Sequence, residues 1–359
     1  MSRAPGTRRL CDVAGTVHFA IPGNLSLPTG GYGYDRRLIA GLPSLGWQVN
    51  TVPLPAGYPF LSHAERQATK DAFDSLPDDA IVLVDGLAFG AMDELAPALS
   101  ARLRLVALVH HPLADETGLT AAEAEALKAS ERAALAHARA VVCTSGATAR
   151  RLAAGFSVPP ERITVALPGT DLKPRAPANG SPSVLLSVGA LVPRKGHDVL
   201  IEALGHLRHL DWTARLVGAD DRDPEWTRRL KSRAAGLGLA GRVAFAGAVA
   251  DADAELASAD IFVLPSRHEG YGMAYAEALA HGLPTIGCRA GAVPDVVPEK
   301  AGALVPPNDP SALAGAIARL LTDPEAHRQA ADAAWAAGQA LPTWQDTAGI
   351  VAGVLERLQ

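Results

Sequence analysis

The sequence predicts an α/β chain built as two doubly wound domains that face a central cleft. Three observations lead there. Short apolar runs alternate with longer amphipathic stretches, as buried parallel strands alternate with the helices that cover them. The alternation breaks once, at Lys173-Pro-Arg-Ala-Pro-Ala-Asn-Gly-Ser-Pro182, which is rich in Pro, Gly and Ser and has no periodicity; it then restarts. The length of 359 residues suits two domains, at roughly 100–200 residues each.

Taken in order, residues 16–21 (Thr-Val-His-Phe-Ala-Ile) read as the first strand, and 48–54, 80–84, 104–109, 140–143 and 163–167 follow as short apolar runs of the same kind. Longer stretches with helical spacing lie between several of them, most clearly 64–73, 119–137 and 146–154. Past the linker, strands at 183–188, 214–217, 242–245, 260–264 and 284–288 alternate with helices at 197–209, 224–235, 252–257 and 272–281. Helices at 310–321, 324–337 and 344–358 close the chain. The expected division is 1–175, 176–340, and a final helix within 341–359 that crosses back onto the first domain. Two such domains turn the carboxyl ends of both sheets toward a shared cleft, where ligands of open α/β sheets bind.

Composition excludes several classes. Lys plus Arg is 33 and Asp plus Glu 38, a net charge of −5. Residues 1–170 carry 15 basic and 16 acidic side chains, so neither half offers the basic surface that a nucleic acid needs. Cys11, Cys143 and Cys288 are far apart, which leaves no disulfide scaffold or zinc ribbon and suits a reducing, cytoplasmic setting. No apolar run approaches the ~18 residues of a membrane span. Arg8 and Arg9 precede a mildly apolar stretch at 10–22, but Asp12 and His18 interrupt it and no small-residue cleavage site follows, so an export signal is not expected.

Four motifs sit where strands meet the cleft. Pro28-Thr-Gly-Gly-Tyr-Gly-Tyr-Asp-Arg-Arg37 follows the first strand and opens a helix expected over 35–40. Gly30 and Gly31 let a backbone approach a ligand; a tight structural turn and a phosphate cradle are equally good readings of this segment alone. Val188-Gly-Ala-Leu-Val-Pro-Arg-Lys-Gly196 places Arg194 and Lys195 before a helix N-terminus, where two cations oppose the macrodipole unless an anion is near. Ser266-Arg-His-Glu-Gly-Tyr-Gly-Met-Ala-Tyr-Ala-Glu-Ala-Leu-Ala280 sets Glu269 in a loop and Glu277 two turns into a helix. Its turn at Gly270–Gly272 frees the first helical N–H groups, among them that of Met273, for an anion. A carboxylate at Glu277 on the apolar side of that helix is costly unless it meets donors such as ribose hydroxyls. His110 and His111 end the strand at 104–109, and either could reach a substrate oxygen or move a proton. No third ligand stands at metal spacing. Asp251-Ala-Asp253 reads as a helix cap, so no metal is expected.

At these residues the chain resembles the family-four retaining glycosyltransferases of GT-B fold, over essentially its whole length and most closely from Leu185 to Leu304. The resemblance rests on Gly30-Gly31, on a cleft histidine taken as His111, on Gly189-Ala190 through Lys195-Gly196, on the E-x7-E pair Glu269 and Glu277, on Gly291-Ala-Val-Pro-Asp295, and on Leu304-Val-Pro-Pro-Asn-Asp309. It implies an acceptor-binding first domain and a nucleotide-sugar-binding second one. It implies that the Gly31 backbone and Lys195 meet a donor diphosphate. Glu277 would hold the ribose, and Glu269 and His111 the sugar, while Gly270, Gly272 and Met273 complete the pocket. The family's usual arginine is Ala190 here, so a second cation must come from elsewhere, and Arg194 is adjacent.

The expected reaction moves a hexose from a UDP- or GDP-sugar, used as substrate with no permanently bound cofactor, to an acceptor hydroxyl with retention. The weakly charged first half favours a soluble small-molecule or glycan acceptor over a lipid surface. Two alternatives remain at this point. A nucleotide-sugar epimerase or phosphorylase on the same fold would differ by changing donor without acceptor or by needing a pyridoxal lysine; a non-catalytic two-domain sugar-binding protein would need no cations in its cleft.

Overall fold

The computed structural model describes residues 14–116, 118–249 and 252–359. The Arg8-Arg9 pair, Cys11, Asp12, and Asp251 of the Asp251-Ala-Asp253 pattern lie outside them. The first sheet contains β1 (Gly15–Pro22), β2 (Trp47–Leu54), β3 (Ile81–Asp85), β4 (Arg104–Val109), β5 (Ala140–Cys143) and β6 (Ile163–Val165), in the order β2-β1-β3-β4-β5-β6. The second contains β7 (Ser183–Val188), β8 (Trp212–Val217), β9 (Val243–Gly247), β10 (Ile261–Leu264), β11 (Thr285–Cys288) and β12 (Gly302–Val305), in the order β12-β11-β10-β7-β8-β9. Every pairing is parallel.

Parallel strands require crossovers, and helices supply them. In the first half these are α1 (Gly30–Gly41), α2 (His63–Asp74), α3 (Gly86–Phe89), α4 (Ala96–Ser100), α5 (Ala121–Leu135) and α6 (Gly146–Phe156). The second half has α7 (His197–His206), α8 (Pro224–Gly236), α9 (Ala252–Ala257), α10 (Met273–Ala280), α11 (Val293–Val296), α12 (Pro310–Thr322), α13 (Pro324–Gln339) and α14 (Trp344–Glu356).

The continuous apolar runs are explained by two-sided burial. In β3, Val82 and Val84 enter one core while Ile81 and Leu83 enter the other. In β10, Ile261 and Val263 face one core, Phe262 and Leu264 the opposite one. The last helix belongs to the first domain's packing. Val351, Val354 and Leu355 of α14 join the core under β1 and β4. The Trp344 ring meets Tyr34 edge-on at 5.8 Å, and the Thr347 hydroxyl donates to the Leu167 carbonyl at 2.7 Å.

Several boundaries differ from those the sequence predicts. Helix α1 begins at Gly30 rather than 35, because Thr29 accepts from the Tyr32 N–H at 3.2 Å and caps it. Glycine's poor helix propensity had hidden that turn. Strand β12 and the short helices α3, α4 and α11 were not foreseen, since four or five residues are too few to show a period. The segment at 173–182 is irregular but tied down. The Asp260 carboxylate accepts from Gly180 N–H at 2.9 Å and Val184 N–H at 2.7 Å, and Arg175 pairs with Asp332 at 2.6 Å.

Candidate active site between the two sheets

Each sheet reverses its strand order at one place, where neighbouring crossovers leave in opposite directions and open a crevice. In the first sheet this lies between β1 and β3, in the second between β7 and β10. The loops leaving those strands carry the residues that the motifs singled out. Gly30 and Gly31 follow β1, Arg194 and Lys195 follow β7, and Glu269 follows β10.

Glu269 organises the second domain's wall. It is only 6% exposed. Its Oε1 accepts from Lys195 Nζ at 2.7 Å and from the Ser266 hydroxyl at 2.6 Å, and its Oε2 lies 3.4 Å from Arg194 Nη1. Burial alone would raise its pKa. The charges of Lys195 and Arg194 outweigh burial and bring it down to about 2, so the group is an anion across the neutral range. Arg194 also donates to the His268 carbonyl at 3.0 Å, and its Nε lies 3.1 Å from Glu116 of the first domain. Arg194, four residues after Ala190, thus shares the Glu269 carboxylate with Lys195.

Helix α10 is preceded by Gly272, whose φ of 102° only glycine adopts readily, and no side chain caps it. Its first residue, Met273, faces the first domain: a Cβ on Gly30 would lie 3.7 Å from the Met273 sulfur. One turn on, Glu277 is pushed up to about 7, by burial first and by the Asp253 charge second. Among the described residues none donates a hydrogen bond to its carboxylate. Asp253 itself pairs with Lys173, and its other oxygen lies 3.4 Å from His281 Nε2.

The histidines part company. His111 Nε2 lies 3.2 Å from Glu116, and its ring stands 6.2 Å from that of His268. His110 turns the other way, against the glycine loop. A Cβ on Gly31 would sit 3.2 Å from His110 Cδ2, and one on Gly270 would meet the His110 carbonyl at 2.2 Å, which only glycine avoids. The His110 ring lies against Gly31, and both histidines border Gly270, His110 through its carbonyl and His111 through its Cβ, which a Cβ on Gly270 would approach to 3.1 Å. His110 Nε2 is 3.3 Å from one oxygen each of Asp35 and Asp85. These three residues form the one cluster among the described residues that could surround a small cation, with ligand-type atoms within 4.8 Å of one another.

Sequence reasoning missed Asp35, Asp85, Glu116 and Ser266. Asp85 ends a parallel strand, as the histidines follow one, and that position is its sequence signal. The partnership of Asp35 with a residue 75 positions away has no sequence signal. Beside Glu269 opens a cavity of about 470 Å³ lined by Pro112, Asp115, Thr148, Arg151, His268 and Gly291, among others. Arg151 is held there by a two-pronged pair with Asp115 at 2.7 and 2.9 Å.

Comparisons with known proteins agree with this architecture. A family described as Glycosyl transferases group 1 matches residues 182–323, and Glycosyltransferase Family 4 matches residues 52–173. The MMP alpha-(1->4)-mannosyltransferase of Mycolicibacterium hassiacum is 29% identical over 70% of this chain and 65% of its own length. A GDP-mannose-dependent alpha-(1-6)-phosphatidylinositol dimannoside mannosyltransferase of Mycobacterium tuberculosis is 27% identical over 91% of this chain and 87% of its own. The mannosylfructose-phosphate synthase of Agrobacterium fabrum is 42% identical over 29% of this chain. Across four such relatives the chain spans between 24% and 65% of their length. Sucrose-phosphate synthase from Thermosynechococcus elongatus superimposes with a TM-score of 0.80 at 22% identity, covering 95% of this chain and 98% of that one. Anabaena HepE in complex with UDP and glucose does so with a TM-score of 0.76 at 19% identity, covering 94% and 98%. Among the described residues no helix is long and apolar enough to cross a membrane.

Proposed function

The chain belongs to the GT4-type glycosyltransferases of GT-B fold, and we propose that it transfers a hexose from a nucleotide diphosphate sugar to an acceptor hydroxyl with retention of configuration. The observation that carries this reading is the pair of cations, Arg194 and Lys195, gathered on one buried carboxylate at the second sheet's switch point. A departing nucleoside diphosphate gathers negative charge, and cations fixed beforehand stabilise that charge without reorganising. The Gly31 backbone approaches the diphosphate from the first domain. The uncapped start of α10, with Gly270, Gly272 and Met273, offers N–H groups from the second.

Glu269 serves the sugar, as an acceptor for its hydroxyls. With Lys195, Arg194 and Ser266 already on it, its basicity is low, which makes it a weak covalent nucleophile. That supports retention by front-face attack over a glycosyl-enzyme intermediate. His110, whose ring lies against Gly31, takes the donor-sugar role in place of the His111 that the resemblance implies. The cavity beside Glu269 has Asp115, Thr148, Arg151 and His268 on its wall, polar groups that suit a small polyhydroxylated acceptor. The test is a panel of UDP- and GDP-hexoses with sugar and polyol acceptors, read by mass spectrometry, with the anomeric coupling of the product read by NMR. A hexose added with the donor's anomeric configuration is expected. Donor altered without acceptor, or product of inverted configuration, would overturn the reading.

Glu277 is assigned to the ribose hydroxyls, and its raised pKa gives that role a pH signature. A carboxylate accepts two hydroxyls, while a protonated carboxyl must give up part of that capacity. Nucleoside diphosphate affinity should therefore rise as pH increases from 6 to 8 and Glu277 ionises. Glu277→Gln should bind more weakly by about tenfold, the value of one charged hydrogen bond, and lose this pH dependence. Titration calorimetry at the two pH values checks it, and a pH profile unchanged by the substitution would remove Glu277 from the ribose.

A further inference from the structure

We propose that Arg267 is a positioning residue of the donor site: with Asp198 and Asn308 as its partners, it sets the backbone of the turn that carries Arg194 and Lys195. The inference rests on the diphosphate role proposed above for those two cations. Residues Pro193–Lys195 form one short 3-10 turn, and neither it nor α7, which follows Gly196, has a side-chain cap. Two cations at a helix N-terminus also oppose its dipole. The hold on this turn comes from the loop that leaves β10.

Residues 267–269 are laced to 193–195 one after another. The Arg267 N–H donates to the Arg194 carbonyl at 2.8 Å, and the Arg267 guanidinium donates to the Pro193 carbonyl. The His268 carbonyl accepts from Arg194 Nη1 at 3.0 Å, and the Glu269 carboxylate from Lys195 Nζ at 2.7 Å. Arg267 is itself fixed from two further sides. Its Nη1 and Nη2 fork onto the carboxylate of Asp198, in the first turn of α7, at 2.9 and 2.7 Å. Its Nε donates to Asn308 Oδ1 at 2.7 Å. Asn308 stands at a φ of 60°, a left-handed conformation that Asn tolerates better than most residues. The adjoining Asp309 caps α12 by accepting from the Ala312 N–H at 2.9 Å. The motif at 304–309 thereby anchors the guanidinium that shapes the turn.

Bonds to the protein engage Nε, Nη1 and Nη2 alike, so Arg267 has little left to offer a ligand and acts through the turn. The turn is also tightly packed. The Lys195 stem lies across Gly189, where an added Cβ would stand 3.2 Å from its Cδ and Cε, and a Cβ on Gly196 would meet the Pro265 carbonyl at 2.1 Å. A backbone shift there moves two charges at once, and a misplacement of about 1 Å can cost about a hundredfold.

Arg267→Lys keeps the charge and gives up the fork, so it separates positioning from charge. Calorimetry with UDP and with GDP should show about tenfold weaker binding of the nucleotide that the unaltered protein takes. Asn308→Gly keeps the left-handed backbone and removes the Oδ1 anchor; it should weaken binding in the same direction and by less. In a Lys195→Ala background the loss from Arg267→Lys should shrink to about threefold or less, because the turn then has less charge to place, whereas a merely structural loss would carry over in full. Unaltered nucleotide affinity in Arg267→Lys overturns the proposal, and so does a loss that adds in full to that of Lys195→Ala. Should Arg267→Lys fail to fold, Asn308→Gly decides, and normal binding by it overturns the proposal. Lys195→Ala alone tells the two readings apart: if it binds nucleotide normally, the donor-site reading falls and this proposal with it, whereas weakened binding there with normal binding in Arg267→Lys removes this proposal only.

Discussion

Glu269→Gln is expected to slow sugar transfer by about tenfold to a hundredfold, the value of one or more hydrogen bonds to a charged group, while nucleoside diphosphate binds as well as before or better. The carboxylate is shared by Lys195, Arg194 and Ser266. Replacing it frees both cations for phosphate and deprives the sugar of its acceptor. The loss belongs in kcat, because the missing interaction is made to the reacting sugar rather than to the nucleotide. A stability signature accompanies it. The Glu269 pKa is depressed from 4.5 to about 2, so its pairing stabilises the fold above pH 4.5 and is lost as pH falls from there toward 2. Acid unfolding of Glu269→Gln should lack that component. If calorimetry shows nucleotide binding abolished in Glu269→Gln and intact in Glu277→Gln, the two glutamates have exchanged roles.

Lys195→Ala should weaken donor and nucleoside diphosphate binding by roughly tenfold to a hundredfold, since it leaves diphosphate charge uncompensated. The fold should survive, because Arg194 remains on Glu269 and the Lys195 site borders the open cleft. Arg194→Ala is the sharper comparison. If Arg194 supplies the charge that Ala190 lacks, the two variants lose similar affinity and their losses are not additive, as expected for groups sharing one partner. Arg194 also bonds Glu116 across the cleft, so its replacement should in addition loosen the contact between the walls. Kinetics of Lys195→Ala equal to the unaltered protein would take this lysine out of the site.

The fold class was legible because two-sided burial writes itself plainly into a chain. Val82 through Val84 and Ile261 through Leu264 leave no polar face, and short runs of that kind spaced by amphipathic stretches admit few architectures. The short elements were not. Gly302-Ala-Leu-Val305 is a strand only because β11 lies beside it, and α3 is one turn held by the Asp85 cap. In the cleft, residue types after strand ends pointed to Gly31, Lys195, Glu269 and Glu277, and the structure brings the segments after β1, β7 and β10 that bear them, α10 included, to the two switch points. Pairing across the chain was invisible. The choice between His110 and His111 depends on which way each ring turns. Asp35 and Asp85 decide that for one, Glu116 for the other, and no local pattern connects residues so far apart in sequence.

The most direct test of the central claim is a crystal structure of the protein grown with UDP or GDP. The diphosphate is expected between the Gly31 backbone and the side chains of Arg194 and Lys195, with the ribose hydroxyls on Glu277 and the far phosphate turned toward His110 and Glu269. A nucleotide bound elsewhere on the second sheet, or a cleft left empty at saturating nucleotide in solution, would contradict the account.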